Sequence, residues 1–293
     1  MTPMQVAVLG ERAGWHVGQL TGALARRGHA VGIVSWQSIG ARVDPAGPRF
    51  APDVLEAADV VAVRGMPGIG VGPQRLEDVI FRMDALAQLE ASGTPVVNPP
   101  RSLEIAIDKY LSLALLARAG LRVPSTAVVQ GGPAAQRAWE EFAAPCVAKP
   151  LFGSRGRGIH LVGSAAEAAA IGAAGVSYLQ EFIPHPGWDL RVLLVGDDAF
   201  AMRRIAKAGE WRTNVSLGGT PKPHDAPGEV IDLARRAAAA VGATIAGVDI
   251  LPASTGPVVL EVNAVPAWRG LQTVVETDLA DVVAAAVVRA AGG

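Results

Sequence analysis

The sequence predicts a mixed fold, in which a parallel α/β lobe is followed by antiparallel sheets with helices on their faces. Over the first hundred residues, short apolar runs alternate with segments of helical periodicity, as is typical of parallel α/β proteins. Further along, strand-like runs are separated by turn residues, which favours antiparallel pairing. Of the 293 residues, 50% are hydrophobic, which is enough for a large core divided among two or three lobes.

The first lobe is predicted over residues 1–100. Buried strands are expected at 5–9, 31–36, 60–63 and 96–97, and helices at 16–27 and 73–91. Three glycines follow the first strand but do not form the G-x-G-x-x-G pattern: Gly10, Gly14 and Gly18. They therefore predict a turn and a closely packed helix, not a dinucleotide site.

The second lobe is predicted over residues 101–186. A helix is expected to begin with Ser102 as its N-cap, and Asp108 and Lys109 interrupt its apolar stripe. Strands are then expected at 125–129, 146–149, 159–162 and 178–182, with helices at about 133–142 and 165–174. This alternation predicts an antiparallel sheet with helices on one face.

The third lobe is predicted over residues 187–293. Strands are expected near 190–195, 199–205, 245–251 and 258–262, and helices at 227–241 and 273–291. Every residue predicted below to bind ATP or a metal lies in the second or third lobe.

Composition excludes several classes of partner and location. The net charge of −1 provides no global field for nucleic acid or an anionic membrane, so neither is expected as a partner. No apolar run approaches the roughly 20 residues of a membrane span, and no signal peptide is recognisable. The single cysteine, Cys146, excludes an internal disulfide and suits the cytoplasm, where we expect the protein to be located.

Two apolar runs near the end of the chain carry oxygen-bearing side chains that a buried strand tolerates poorly. Glu261 and Asn263 are two residues apart and point to the same face of a strand, and Asp249 on a neighbouring run could join them. Carboxylate and amide oxygens are ligands that Mg²⁺ takes. The alternative is a pair of strand ends with exposed polar residues, which the E-x-N spacing within apolar sequence makes the weaker interpretation.

A lysine at a strand end is followed by a glycine-rich turn. Lys149 precedes Pro150 and the run Gly153-Ser154-Arg155-Gly156-Arg157-Gly158. Glycines let backbone N–H groups approach phosphates closely, and a nearby ammonium pairs with them. An ordinary hairpin with basic residues is about equally compatible with this run, because no G-K-[S/T] closes it.

Two further polar groups are candidates for nucleotide contacts. Gln180 and Glu181 end a strand before Ile183 and a proline, where an acid beside free backbone could bind an adenine edge; a polar strand end is the simpler interpretation of this segment alone. Cationic residues follow at positions suited to phosphate or carboxylate: Arg191, Arg203, Arg204 and Arg212. A solvated charged face is the usual interpretation of such a series.

The candidate motifs occur along the chain in one order. They are Asp108-Lys109, Lys149-Pro150 with the glycine-rich loop, Gln180-Glu181-Phe182-Ile183, Asp189-Leu190-Arg191, Arg212-Thr213-Asn214 with Gly218-Gly219, Ala246-Gly247-Val248-Asp249, and Glu261-Val262-Asn263. This ordered set closely resembles the ATP-grasp ligases, and within them the RimK-type amino-acid ligases. The resemblance covers about residues 98–270, and the α/β lobe before it fits a pre-ATP-grasp domain. The fold implied is therefore an ATP-grasp fold.

The resemblance implies the roles of the nucleotide-binding residues. Lys109 and Lys149 would hold ATP phosphates beneath a closing loop that contains Gly153, Ser154, Arg155, Gly156 and Gly158. Glu181 and Ile183, next to Gln180, would flank the adenine, and Asp189 would reach the ribose in a motif that also contains Arg191.

The resemblance also implies the reaction centre. Asp249, Glu261 and Asn263 would hold Mg²⁺ or Mn²⁺ between the phosphates. Arg203 and Arg212 would steady the γ-phosphate and the acyl phosphate, and Asn214 would approach the metal site.

The sequence departs from the family pattern where substrates would lie. Leu217 stands where RimK-like proteins usually carry an arginine, and Pro266-Ala267 replaces a frequent Pro-Gly after the E-x-N motif. These differences leave the expected ATP site intact and concern the substrate. The loop from Gly65 to Gly72 and Trp268 are the candidates for an acceptor pocket.

The resemblance thus implies an ATP-dependent carboxylate–amine ligase acting through an acyl phosphate. Its partners would be a small-molecule carboxylate acceptor and an amino acid such as glutamate. The alternatives are a RimK-type modifier of a protein C-terminus, a carboxylase component or kinase on the same scaffold, and a catalytically silent ATP-binding regulator. Many members of the subgroup are dimers or tetramers, so a homo-oligomer is compatible with the sequence.

Overall fold

The computed structural model describes residues 2–66, 76–142, 145–153, 156 and 158–292. Two predicted loop residues, Ser154 and Arg155, lie outside the described residues, as does most of the candidate acceptor loop after Gly65. No helix among the described residues is long and apolar enough to cross a membrane.

The first hundred residues form the predicted parallel sheet. The strands in this region are β1 (Gln5–Leu9), β2 (Ala30–Val34), β3 (Gly40–Asp44), β4 (Gly47–Ala51), β5 (Val60–Val63) and β6 (Val96–Val97). Four of them form the parallel sheet, in the order β2-β1-β5-β6, and β3 and β4 form a separate hairpin. The helices are α1 (Trp15–Arg26), α2 (Asp53–Glu56) and α3 (Leu76–Ala91). The β3–β4 hairpin was not predicted from the sequence.

The predicted helix beginning at Ser102 is in fact two helices. These are α4 (Pro100–Ile107) and α5 (Lys109–Arg118). Between them Asp108 is the N-cap of α5, because its carboxylate accepts from Tyr110 N at 2.8 Å and Leu111 N at 3.0 Å. Ser102 is buried inside α4, so its prediction as the N-cap was wrong. The break at Asp108 places Lys109 at the first turn of α5.

The second sheet is antiparallel, as predicted. This region contains β7 (Thr126–Gln130), α6 (Gly132–Glu141), β8 (Cys146–Lys149), β9 (His160–Val162), α7 (Ala165–Ala173) and β10 (Val176–Glu181). The strand order is β7-β10-β8-β9. The helices α6 and α7 cover the face that bears Cys146, Ala148 and Leu179. The opposite face of this sheet is therefore left for the chemistry of Lys149.

The third sheet is also antiparallel, in the order β13-β12-β11-β14-β15. Its region contains β11 (Trp188–Val195), β12 (Asp198–Ile205), β13 (Thr220–Pro223), α8 (Gly228–Ala240), β14 (Ile245–Ala253), β15 (Gly256–Asn263), α9 (Arg269–Gln272) and α10 (Leu279–Ala291). The helix predicted over 273–291 begins at Leu279 instead, because Asp278 caps it through the N–H groups of Ala280 and Asp281.

The last helix packs against the first sheet. Val283 and Val287 of α10 share a hydrophobic core with Leu20 and Leu24 of α1, and β11 contributes Leu193 to the same core. Arg26 and Arg27 of α1 form ion pairs with Asp278 and Asp281 at 2.7 and 2.8 Å. The end of the chain is thus part of the core of the first lobe.

Candidate active site

The three predicted metal-binding side chains share one face of the third sheet. Asp249 on β14 is paired in register with Glu261 on β15 and with Arg191 on β11, and Asn263 is paired with Gly247. Because residues paired across an antiparallel sheet point to the same side, all these positions face the same way. A β-bulge follows Asp249, so β15 shifts register immediately beyond this group.

Asp249 is the centre of a buried charge network. It is only 6% exposed, and its carboxylate contacts both Arg191 (Nη2 to Oδ2, 2.9 Å) and Arg204 (Nη2 to Oδ2, 2.9 Å). Arg204 also donates to Asp189 Oδ1 at 2.8 Å. Burial alone would raise the pKa of Asp249, but the two guanidinium groups outweigh it and hold that pKa below its usual value. The site thus contains two carboxylates neutralised by two arginines.

Glu261 contributes the carboxylate left open for a ligand. It lies beside Asp249 and is half-buried, and among the described residues its side chain makes no hydrogen bond or ion pair within 4 Å. No group of three His, Cys, Asp or Glu side chains in the described part of the chain is arranged to bind a metal. On the shared face, the Glu261 carboxylate and the Asn263 amide are oxygen donors of the kind that Mg²⁺ takes, whereas the Asp249 carboxylate is engaged by Arg191 and Arg204.

Lys149 lies opposite this acidic face and is held by Gln180. Its Nζ donates to Gln180 Oε1 at 2.5 Å, while Gln180 Nε2 donates to Thr126 Oγ1 (2.9 Å) and Tyr178 OH (3.0 Å). Burial lowers the pKa of Lys149 to about 8, although the nearby Glu261 opposes the shift. The result is an oriented ammonium group close to a carboxylate.

Lys109 holds the segment that follows β8. Its Nζ donates to the carbonyl oxygens of Gly153 (2.9 Å) and Leu151 (3.3 Å). Burial lowers the pKa of Lys109, and Glu261 and Asp108 oppose that shift. Lys109 and Lys149 are therefore two cations within electrostatic reach of the Glu261 carboxylate.

The glycine-rich loop contacts the segment around Asn214. Gly156 has φ of +70°, and a Cβ there would lie 2.5 Å from Asn214 Oδ1, so only glycine fits. Arg212 Nη1 donates to the carbonyls of Gly156 (3.3 Å) and Ile159 (3.1 Å) and pairs with Glu210 through Nη2 at 2.6 Å. Arg212 and Asn214 therefore both lie against the loop that would cover bound phosphates.

Strand alternation places two predicted residues on the far faces of their sheets: Arg203 in the third sheet and Glu181 in the second. Arg203 is paired with Leu190, on the opposite side of the sheet from Asp249, and its guanidinium lies 4.3 Å from the centre of the Trp188 ring. Glu181 is paired with Cys146, on the helix-covered side of the second sheet, where its carboxylate accepts from Ser125 N at 3.4 Å.

Two other residues predicted to contact the nucleotide, Ile183 and Asp189, have no free polar side-chain group for such a contact. Ile183 is half-buried just after β10, and Asp189 is buried and engaged with Arg204. The sequence analysis named Arg204 among the cationic residues but assigned the reaction-centre role to Arg203. Alternation along β12 places these two neighbours on opposite faces, and only the pairing of β12 with β11 determines which of them faces Asp249.

Comparisons with known proteins identify the family of this chain. Residues 106–287 match the family model of the RimK-like ATP-grasp domain. The tetrahydromethanopterin:alpha-L-glutamate ligase of Methanosarcina acetivorans is 37% identical over 252 residues, 74% of this chain and 76% of that protein. The ribosomal protein bS6–L-glutamate ligase of Salmonella paratyphi B is 33% identical over 270 residues, 89% of this chain and 88% of that protein.

A solved structure extends the comparison to the whole fold. The RimK domain ATP-grasp protein from Sphaerobacter thermophilus has a TM-score of 0.73 and 26% identity with this chain. The match covers 97% of this chain and 99% of that one, including the first parallel lobe.

Proposed function

This chain belongs to the RimK-like ATP-grasp family, and on that premise we propose that it joins an amino acid, glutamate, to the carboxylate of a small-molecule acceptor. The resemblance inferred from the ordered motifs is confirmed, and with it an ATP-dependent ligase that forms a carbon–nitrogen bond. The observation that carries the proposal is the grouping of Lys109, Lys149 and Glu261 beside the glycine-rich loop.

The proposed reaction has two steps. In the first, an acceptor carboxylate oxygen attacks the γ-phosphorus of ATP, and ADP leaves with the electrons of the broken bond. Lys109 and Lys149 would neutralise phosphate oxygens during that transfer. In the second step, the amine attacks the acyl phosphate, phosphate leaves, and the amine loses a proton to give the amide.

The side chains around the reaction centre act by position and charge. Glu261, Asn263 and Asp249 would hold Mg²⁺, which when bound neutralises charge on the phosphates. Arg212 and Asn214 lie where the loop closes, so they would keep water from the acyl phosphate. Arg191 orients Asp249, and Arg204 joins Asp249 to Asp189, so this part of the network is a positioning device.

Two observations bear on the acceptor and the location. Relatives at similar identity act on a pterin coenzyme in one case and on a ribosomal protein in the other, by their names. The net charge of −1 favours a small molecule over a ribosomal target that would need a large basic docking surface. We also propose a cytoplasmic location, since the sequence has one cysteine and thus no internal disulfide.

Phosphate release tests the proposal. The protein would be incubated with ATP, Mg²⁺ and single amino acids, with and without fractionated small molecules from cell extract. Release that needs both glutamate and an extract fraction is expected, and the Glu261→Gln variant should lose it while remaining folded by circular dichroism. Release supported by a purified protein C-terminus alone would establish the protein-modifying alternative. Nucleotide binding without turnover in any mixture would contradict the proposed reaction.

A further inference from the structure

The strand order of the first lobe reverses between β1 and β5. In the order β2-β1-β5-β6, the chain moves from β1 outwards to β2 and then returns to the other side of β1. In open parallel sheets, ligands bind at the carboxyl ends of the two strands that flank such a reversal. Gly10 follows β1 and Arg64 follows β5, so both stand at this point.

Arg64 is a half-buried cation without an acidic partner among the described residues. Its Nη2 donates to Pro266 O at 2.8 Å, its guanidinium lies 4.3 Å from the centre of the Trp268 ring, and its buried Nε has no hydrogen-bond acceptor. Burial lowers its pKa to about 9, and no carboxylate opposes that shift. Such a group is costly to keep unless a bound anion pairs with it.

Two indole N–H groups near Arg64 are also buried without acceptors. They belong to Trp36 and Trp268. Trp36 Nε1 lies 3.2 Å from the position that a Cβ of Gly65 would occupy, next to Arg64 in the chain. Trp268 is stacked on Arg64, and His16 accepts hydrogen bonds from the backbone N–H of Trp268 at 3.0 Å. All three unsatisfied groups are hydrogen-bond donors, so they fit a ligand that accepts hydrogen bonds and carries a negative charge.

The group of donors adjoins the reaction centre. Pro266, which Arg64 contacts, comes three residues after Asn263. A Cβ added to Gly247 would lie 2.8 Å from Pro266 Cβ and 2.9 Å from Arg191 Nη1. Pro266 therefore lies between Arg64 and the arginine that holds Asp249, so a substrate reaching the metal site could also reach Arg64.

We propose that Arg64, with the indole N–H groups of Trp36 and Trp268, binds a carboxylate of a ligation substrate. This inference rests on the proposed function. The carboxylate belongs either to the incoming amino acid or to the acceptor, at a position that is not activated. An arginine beside neutral N–H donors has the hydrogen-bonding chemistry for either one.

Direct binding tests the site independently of turnover. The protein would be saturated with a non-hydrolysable ATP analogue and Mg²⁺ and titrated calorimetrically with L-glutamate and with its α-amide. We expect Arg64→Gln to weaken L-glutamate binding at least about tenfold, as expected for loss of a charge-assisted hydrogen bond. Arg42→Gln, which changes an exposed arginine on β3, should leave it unchanged. In the wild type, the α-amide should bind more weakly by a similar factor.

Kinetic measurements test whether Arg64 binds the acceptor. If L-glutamate binds Arg64→Gln normally, the active extract fraction is titrated in the phosphate-release assay, and its half-saturating concentration should rise at least about tenfold in this variant. The ATP requirement should not change. The proposal would be overturned if Arg64→Gln bound L-glutamate as the wild type does and also had the same half-saturating concentration of the extract fraction. It would also be overturned if the wild type bound neither carboxylate substrate. A ligase that works normally with Arg64→Gln would leave the proposed function standing and refute only this site.

Trp36→Phe separates ligand binding from folding. Phe keeps the six-membered ring but lacks the five-membered ring that carries the N–H, so the free protein should lose some stability, as expected for a smaller side chain at a buried position. Carboxylate binding should also weaken by about threefold to tenfold. Loss of stability with unchanged binding would show that the indole is merely structural and would contradict its place in the site.

Discussion

At the scale of single residues, Lys149 illustrates a side chain whose burial serves binding at the expense of folding. Its ammonium is desolvated, and among the described residues it donates one hydrogen bond, to Gln180. We expect Lys149→Met to weaken ATP binding about 10- to 100-fold, through loss of charge-assisted hydrogen bonds to phosphate. The free protein should keep its stability, since a buried charge is replaced by an apolar chain. Calorimetry and urea denaturation measure the two effects.

The control for this substitution is Lys222→Met, which removes an exposed lysine from β13. It should leave ATP affinity unchanged. Normal ATP binding by Lys149→Met would exclude Lys149 from the phosphate site.

The same lysine predicts a pH dependence. Burial places its pKa at about 8 in the folded protein, below the 10.5 of an exposed lysine. The unfolded chain therefore binds the proton more tightly, and this group adds stability as the pH rises from about 8 towards 10.5. Phosphate binding changes in the opposite direction, because the ammonium loses its charge over that range. The half-saturating ATP concentration should thus rise above pH 8.

Lys149→Arg tests the assignment of that titration, since a guanidinium stays charged throughout the range. The rise in half-saturating ATP should disappear in this variant, even if its affinity is lower at every pH. An identical pH profile in wild type and variant would show that another group titrates.

Residue identity alone predicted which side chains carry charge, but not which of two neighbours faces the site. Arg203 and Arg204 are chemically equivalent in the sequence, and Arg204 alone meets Asp189 and Asp249. The difference comes from strand register, which depends on pairing with β11 and cannot be read from β12 by itself. Asp249 and Glu261 were predictable as neighbours because their unusual setting in apolar runs marks both strands.

At the scale of elements, the glycine-rich loop depends on close contact with the segment around Asn214. We expect Gly156→Ala to lower kcat at least about tenfold, because a Cβ at positive φ would collide with Asn214 Oδ1 and displace the loop. Gly28→Ala is the matched control: Gly28 has φ of +83° but nothing within 4 Å of its Cβ position. Its substitution should cost stability, about 1 kcal/mol, and leave kcat unchanged. Equal effects on kcat would refute the contact.

The elements themselves were largely predictable, and the exceptions have local causes. Asp108 was noticed as an interruption of an apolar stripe, yet its capping of α5 requires the chain to leave the helical conformation there, with ψ near 105°. The β3–β4 hairpin escaped prediction because its strands are mostly exposed, so they lack the buried apolar positions that indicate a strand. Buried strands such as β5 were located from sequence because every position is apolar.

At the scale of the whole molecule, α10 links the end of the chain to the first sheet. The sequence predicted a helix there but no partner for it, since packing between segments more than 250 residues apart leaves no local pattern. Its ion pairs from Asp278 and Asp281 to α1 lie beside a shared apolar core. The first lobe and the third sheet therefore hold the candidate carboxylate site between them as one packed unit.

Asn98 is the polar counterpart of that apolar packing. It lies just after β6, only 2% exposed, and its side chain donates to Ile245 O (2.6 Å) and Ala264 O (2.5 Å) while accepting from the N–H groups of Thr244 and Ile245 at 2.9 Å. The Asn98 side chain thus provides hydrogen-bond partners for backbone groups at the start of β14 and in the segment after Asn263. Both segments carry proposed metal ligands, so Asn98 connects the first lobe to the reaction centre.

We therefore expect Asn98→Ala to destabilise the protein by about 3 kcal/mol or more, because several buried backbone groups lose their partners at once. Urea denaturation measures the loss. Ser92→Ala, which removes one exposed hydroxyl bond to Gln88 O, should change stability by less than about 0.5 kcal/mol. Any folded Asn98→Ala should also need more Mg²⁺ for half-maximal turnover, since Ala264 adjoins Asn263. A stable variant with normal Mg²⁺ dependence would show that the apolar core alone positions the third sheet.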